Sequence, residues 1–347
     1  MDRQEWVTAV MNRDGHRCIR CSVPATEVHH IMDRKLFIDG GYVVDNGVSV
    51  CNDCHLLMEQ TLVSTDDVRQ MAGIKTVILP AHLPDTIKYD KWGNEILPNG
   101  TRVAGDMFFD CQKILQPVLH LFSPYVRYPR TYHLPYSPGL QNDDRRISTM
   151  ADLEGYEVVV TIKMDGESTT FYKDGVTARS PSGTDMPTKD WVKTLHSIIV
   201  GDIPDNWRVC GEDMYAVHSI SYDDLNSYFY GFSIWDDRNY RLSWDDMIVW
   251  FDLFNETLSG SDYIIAIPDV IYRGIYDADQ IQQAFDAYQK QSQNAVEGYV
   301  VSRTDRFHYR QFATHVAKWV RPNHVQTDRH WKHQQRIKMT TNKLSVG

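Results

Sequence analysis

A chain of 347 residues with 42% hydrophobic and 24% charged side chains is long enough for two globular domains, and its apolar runs, such as Tyr263 to Ile267, are too short to cross a bilayer. A formal net charge of −10 at pH 7 argues against a uniformly basic nucleic-acid binder, yet Arg303 to Lys343 holds ten Lys or Arg against two Asp and is locally basic. No apolar signal segment follows Met1 to Glu5, so a cytoplasmic location with no membrane partner is the expectation.

In chain order, a short helical pattern from Arg3 to about Asn12 leads into Asp14-Gly15 and a first CxxC pair, Cys18 and Cys21. A second pair, Cys51 and Cys54, opens another helical run through Leu56, Leu57 and Gln60, while Cys111 and Cys210 stand alone. Paired CxxC steps in a cytosolic chain read as a metal site rather than as disulfides. Two such knuckles about 30 residues apart supply four thiolates to one tetrahedral Zn²⁺. In a unit of about 70 residues the ion substitutes for a large core, so residues 1–72 are predicted as a small zinc module. Residues 73–127 mix prolines with the turn pairs Gly93-Asn94 and Asn99-Gly100 and read as a connector.

From residue 128 onward the pattern is one of strands and turns. Tyr156 to Ile162 is a β-rich run ending at Lys163; Ser168 to Tyr172 and Val176 to Arg179 flank Asp174-Gly175 as a hairpin. Ser227 to Trp235 and Gly298 to Ser302 are further strands, and Ala278 to Gln291 is an amphipathic helix. Residues 128–347 are therefore predicted as an α+β domain with antiparallel sheets.

Lys163-Met164-Asp165-Gly166 follows the first of these strands. Covalent nucleotidyl transfer needs an amine that can be neutral near pH 7 and is held rigidly beside the α-phosphate. A strand-end lysine, partly desolvated and flanked by other cations, meets that need, and the glycine leaves space for a nucleotide against the backbone. The same four residues also fit an ordinary surface turn. Downstream, in order, come Arg179, Glu212 in CGEDMYAVHSI, Phe232 in YFYGFSIWDD, Glu297-Gly298 in EGYVV, and Lys318 in VAKWVR.

With these motifs the chain resembles the covalent nucleotidyltransferase superfamily of ligases and capping enzymes, and most of all the bacteriophage-type ATP-dependent RNA ligases. The resemblance covers about residues 128–335, including the lead-in YPRTYHLPYSPG and the tail HVQTDRHW. It implies an antiparallel-sheet adenylation domain, ATP-grasp-like in fold. Lys163 is then the nucleophile that takes AMP, Phe232 stacks on the adenine, and Glu212 binds the ribose hydroxyls. Glu297 holds Mg²⁺ or Mn²⁺, and Arg179 and Lys318 neutralise phosphate charge, with Asp165 and Gly166 completing the ATP site. The family often has two lysines two residues apart in its last motif; here Val316 and Val320 flank Lys318 at that spacing, and Arg321 is the candidate for the second charge.

The N-terminal module resembles an HNH endonuclease of treble-clef type: the pair His29-His30, a central Asn46, and His55 just after the second CxxC. That resemblance makes His30 the base that activates water, His29 and His55 ligands of a catalytic divalent ion, and Asn46 the brace of the loop. A role confined to binding nucleic acid is the preferred expectation.

The implied reaction joins 5′-phosphate and 3′-hydroxyl ends through a lysyl-AMP intermediate and an adenylylated 5′ end, as in RNA repair on nicked duplex or broken tRNA. RNA is preferred to DNA because only about 26 residues follow Arg321, too few for the OB-fold that follows this domain in DNA ligases and capping enzymes. A capping-type or DNA-joining enzyme, or an endonuclease or binding protein with an inactive ligase-like domain, is the alternative.

Overall fold

The computed structural model describes residues 1–140, 144–179, 189–292, 294–322 and 340–345, and the chain divides into two units, Met1–Arg127 and Tyr128–Gly347.

In the first unit, α1 (Arg3–Arg13) starts from a capping box in which the Asp2 carboxylate accepts from the Glu5 N–H and the Glu5 carboxylate accepts from the Asp2 N–H. Its buried residues are Trp6 and Val10. The antiparallel hairpin β1 (Glu27–His30) and β2 (Gly47–Val50) follows, then α2 (Asn52–Glu59), with Cys51 at its N-cap, and α3 (Thr65–Met71), capped by Ser64. Ile31, Val48, Val50, Met58 and Val68 close around Cys18 and Cys54.

Residues 73–127 depart from the connector expectation. They carry β3 (Lys88–Tyr89), β4 (Glu95–Ile96), β5 (Arg102–Ala104), the short α4 (Phe108–Cys111) and β6 (Phe122–Val126), and they cluster with the first unit. The four strands form one sheet in the order β3-β4-β5-β6, with β5 and β6 parallel. Strands of two or three residues leave no readable alternation in a sequence. They are tied instead by buried polar contacts: the Asp90 carboxylate accepts from Asn94 Nδ2 at 3.0 Å and from Arg102 Nη1 at 3.3 Å.

The second unit is mixed α/β with mostly antiparallel sheets. In chain order its elements are β7 (Tyr132–His133), β8 (Glu157–Ile162), β9 (Glu167–Tyr172), β10 (Gly175–Ala178), α5 (Asp190–Ile199), β11 (Arg208–Asp213), β12 (Phe229–Trp235), β13 (Tyr240–Arg241), α6 (Trp244–Thr257), β14 (Val270–Ile275), α7 (Ala278–Gln291), β15 (Gly298–Arg303), β16 (Phe307–His308) and β17 (Val316–Val320). One sheet runs β10-β9-β11-β12-β13-β16 and the other β14-β8-β15-β17-β7, whose last pair is parallel. Phe171, Val209, Phe229 and Ile234 of the first sheet share a core with Val192 and Leu195 of α5 and with Met247 and Phe251 of α6. Val158, Val160, Tyr299 and Val301 of the second share a core with Ile281 and Phe285 of α7. Among the described residues no helix is long and apolar enough to cross a membrane.

Candidate functional site

Two polar clusters occupy the first unit. Cys18, Cys21, Cys51 and Cys54 bring their Sγ atoms within 4.8 Å of one another, with Cys21 and Cys51 3.6 Å apart and all four thiols free. Four thiolates at ~2.3 Å from a tetrahedral ion would stand roughly 3.8 Å apart, so this donor set fits Zn²⁺. Burial raises the Cys18 thiol, but the backbone groups of Cys51, Cys21 and Arg20 outweigh it and hold it down at about 6, while burial pushes the Cys54 thiol up to about 12.

The second cluster joins His29 on β1 to His55 and Glu59 on α2, again with ligand atoms within 4.8 Å. One Glu59 oxygen lies 3.2 Å from His29 Nδ1 and 3.1 Å from His55 Nε2. Glu59 escaped the sequence reading although it stands four residues after His55, hence on the same helix face. Lys91 was also missed: its Nζ lies 3.1 Å from Glu59 and donates to the His30 carbonyl at 3.1 Å. Burial, with Lys91 second, pulls His29 down to about 3 and His30 down to about 4, so both rings are neutral at pH 7. His30 stacks on Trp6 with ring centroids 4.0 Å apart. Asn46 is buried, donating to the Met32 and Gly41 carbonyls at 3.1 Å each and accepting from the Met32 N–H at 2.9 Å, which ties both ends of the intervening loop.

In the second unit, strand alternation builds a pocket of about 260 Å³ between the two sheets. On β8, Val158 and Val160 enter the α7 core, so Val159 and Thr161 face the pocket, and Lys163 continues that face past the strand end. On β15 the pocket side is Val300 and Ser302, and on β17 it is Val316 and Lys318. Ser168, Glu212, Phe232 and Arg241 come from the other sheet, and Arg179 lies just beyond β10. The Phe232 ring is met edge-on by Tyr128 with centroids 5.1 Å apart.

Lys163 Nζ lies 2.6 Å from Glu297 Oε2. The sequence reading placed cations around this lysine; the structure surrounds it with carboxylates. Burial pulls its ammonium down, but Glu297, Glu212 and Asp165 outweigh burial and hold it above its ordinary value. Burial pushes Glu212 up to about 7, against the pull of Lys163 and with the help of Glu297. Burial also lowers Lys318; Asp144, 3.3 Å away, raises it and Lys163 lowers it, with a net fall.

The turn after Lys163 is braced from within the protein. Asp165 Oδ2 accepts from the Ser219 N–H at 2.8 Å, the Ser219 hydroxyl at 2.7 Å and the Ile220 N–H at 2.7 Å. Gly166 was expected to make room for a nucleotide. Its immediate reason is the neighbouring chain: a Cβ there would stand 2.4 Å from the Asp213 carbonyl oxygen and 2.7 Å from Met214 Sδ. Gly298, after Glu297, likewise admits the Trp319 carbonyl, which a Cβ would meet at 2.0 Å.

Arg321 is not among the residues that line the pocket; its backbone N–H donates to the Glu297 carbonyl at 3.1 Å. The charged lining that the sequence reading missed comes from Arg130, Asp144 and Arg241. Arg130 sits in the lead-in already quoted, whereas nothing around Asp144 or Arg241 marks them in the sequence. The tail His324 to Trp331 lies outside the described residues.

Residues 156–320 match the RNA ligase family model. The matched segment runs from just before β8 to the end of β17 and contains Lys163, Arg179, Glu212, Phe232, Glu297 and Lys318. Asp144, Arg321 and residues 340–345 fall outside it. No curated protein matches the chain. Among solved structures, the chain is similar to a lysine-to-alanine mutant of Naegleria gruberi RNA ligase with ATP and Mn, at 18% identity and a TM-score of 0.37. That likeness covers 56% of this chain and 57% of the other, so the chain spans less than two thirds of it. The same Naegleria ligase with PPi is similar at 16% identity over 79% of this chain and 70% of the other, with a TM-score of 0.39. A putative ATP-dependent DNA ligase from Aquifex aeolicus is similar at 14% identity and a TM-score of 0.36, covering 57% and 50%.

Proposed function

We propose that the second unit is an ATP-dependent RNA ligase that works through a lysyl-AMP intermediate. The observation that carries this reading is Lys163 Nζ, 2.6 Å from the Glu297 carboxylate and lining a pocket together with the Phe232 ring, Lys318 and Glu212. Lys163 gives up a proton, for which Glu297 Oε2 is the near acceptor, and its nitrogen attacks the α-phosphorus of ATP. The N–P bond forms as the bond to pyrophosphate breaks. AMP then passes to the 5′-phosphate of a nucleic-acid end with Lys163 as leaving group, and a 3′-hydroxyl displaces AMP to close the strand.

In this reaction Phe232 offers a face for the adenine and Glu212 an acceptor for the ribose hydroxyls. Arg179 and Lys318 offset charge on the phosphates. Glu297 is the oxygen donor suited to Mg²⁺ or Mn²⁺, a hard ion that supplies further charge neutralisation. The RNA ligase match of residues 156–320 favours RNA over DNA.

The test is incubation with α-labelled ATP, Mg²⁺ or Mn²⁺ and, in parallel, GTP, followed by denaturation. Label from ATP that is retained on the chain and lost in Lys163→Ala is the expected result. A wild-type chain shown to be free of AMP that takes up no label would sink the mechanism, and label from GTP would move the reading to a capping-type enzyme. Ligation of 5′-phosphorylated RNA against DNA nicks separates the two joining reactions.

A second reading applies to the first unit. With Zn²⁺ on the four cysteines, the convergence of His29, His55 and Glu59 supports a separate divalent-cation site, so hydrolysis of nucleic acid by an HNH-type arrangement is favoured over binding alone. Neutral His30 would serve as base. Nuclease activity should disappear in His30→Ala and persist in Lys163→Ala; nicking that survives His30→Ala would refute it.

A further inference from the structure

We infer that the segment Thr340 to Ser345 is part of the nucleotide site of the second unit, with Asn342 as a positioning residue for the turn that carries Lys163. The inference rests on the lysyl-AMP reading for its consequence, but its geometry stands apart from it. Between β11 and β12 the chain from Met214 to Tyr228 forms no strand or helix, and it is this stretch that grips Asp165 through Ser219 and Ile220. A loop without a ladder of its own needs partners elsewhere for its backbone groups.

Those partners come from residues 340–345. Asn342 is 1% exposed. Its Nδ2 donates to the Met214 carbonyl at 2.7 Å and the Ala216 carbonyl at 3.3 Å, and its Oδ1 accepts from the Tyr222 N–H at 2.9 Å. Backbone pairs extend the grip on both sides: Val217 N–H to Thr340 O at 3.0 Å, Asn342 N–H to Tyr215 O at 3.0 Å, Lys343 N–H to Tyr222 O at 2.9 Å and Leu225 N–H to Lys343 O at 3.0 Å. Leu344 packs on a small apolar cluster of Met214, Ile220, Tyr222 and Leu225, which Met164 of the Lys163 turn also joins. The Asp165 N–H donates to the Tyr222 hydroxyl at 3.3 Å.

A continuous path of contacts therefore runs from buried Asn342 through Met214–Tyr222 to half-buried Asp165, two residues from Lys163. A nucleophile whose approach to phosphorus is set by such a loop loses rate, more than affinity, when the loop loosens, because misplacement by about 1 Å costs on the order of a hundredfold. Glu212 on β11 and Phe232 on β12 lie outside that loop, so affinity for the nucleotide should change less than rate.

The test uses the full chain and compares wild type with Asn342→Ala, the isosteric Asn342→Asp and, as a control outside the segment, Val249→Ala at an exposed position of α6. Two quantities are read: label uptake from α-labelled ATP as a function of ATP concentration, and hydrogen exchange of the Ser219 and Ile220 amides. The expected result for both Asn342 variants is a rate at saturating ATP slowed by about tenfold or more, with the KM for ATP within about threefold of wild type. Exchange at Ser219 and Ile220 should accelerate while α7 is unchanged, and Val249→Ala should match wild type in every readout. Wild-type rates in folded Asn342→Ala would overturn the inference, as would a loss confined to KM. If Asn342→Ala fails to fold, Asn342→Asp and Leu344→Ala decide by the same readouts. If the wild-type chain takes no label, the lysyl-AMP reading falls by itself. Exchange at Ser219 and Ile220 then decides whether residues 340–345 hold the turn, and unchanged exchange overturns it.

Discussion

The cysteine and histidine–glutamate clusters of the first unit and the lysine pocket of the second are assembled at different ranges along the chain. The candidate metal ligands of the first unit lie between Cys18 and Glu59, in the loop before one hairpin, on that hairpin, and at or in the helix that follows it. The pocket draws on strands from β8 to β17 and on residues from Tyr128 to Lys318. The electrostatics differ as well. His29 and His30 are held neutral by burial with Lys91 nearby, whereas Lys163 is held charged because its carboxylates outweigh its burial. A metal ligand must be free of its proton before it binds, while a lysine nucleophile need lose its proton only at the moment of attack.

The largest effect that would break this comparison is removal of the zinc expected on the four cysteines. Chelation, or Cys51→Ser, should unfold the first unit, since a structural Zn²⁺ supplies on the order of 10 kcal/mol to a small module. Circular dichroism and near-ultraviolet melts would show it, and a first unit that stays folded without metal would remove the ion from its architecture.

Next is Lys163→Ala, which should lower retained label by about a thousandfold or more, to background. A smaller loss would mean that another amine, with Lys318 the nearest candidate in the pocket, accepts the nucleotide.

Glu212 sharpens the electrostatic half of the contrast. Its folded value of about 7 lies above the ordinary 4.5, so the fold favours the protonated carboxyl. That contribution is complete below pH 4.5 and is lost as pH rises through 7. Glu212→Gln removes it, so wild-type stability relative to the variant should fall across that window by a few kcal/mol at most. Urea melts at pH 4.5, 6 and 8 measure it, and a flat difference would mean that Glu212 is not the buried, proton-favouring group described.

The smallest expected effect belongs to Phe232. Phe232→Leu should raise the KM for ATP by about tenfold with little change in rate at saturation, the size of one lost stacking partner. An unchanged KM would show that the adenine lies elsewhere in the pocket.

What could be read in advance follows from the range of the contacts. The CxxC pairs, the histidine pair, the strand ending at Lys163 and the helix Ala278–Gln291 are local patterns, set by spacing of two to four residues and by the alternation of apolar side chains. The resemblance carried by the ordered motifs around them put Lys163, Arg179, Glu212, Phe232 and Lys318 in one candidate site, and the structure brings these five to one pocket. The rest was decided by tertiary structure, because nothing within a few residues of them marks their partners. Lys91 meets Glu59 from a segment that the sequence reads as a connector. Asp144 meets Lys318 across 174 positions of chain. The glycine of the KxDG turn answers to the backbone of Asp213, and Asn342, in a stretch that reads only as basic, braces the loop that holds Asp165. Periodicity and spacing determine which face of an element is buried and which ligands stand together. Which distant side chain satisfies a buried polar group is determined only when the sheets close on one another.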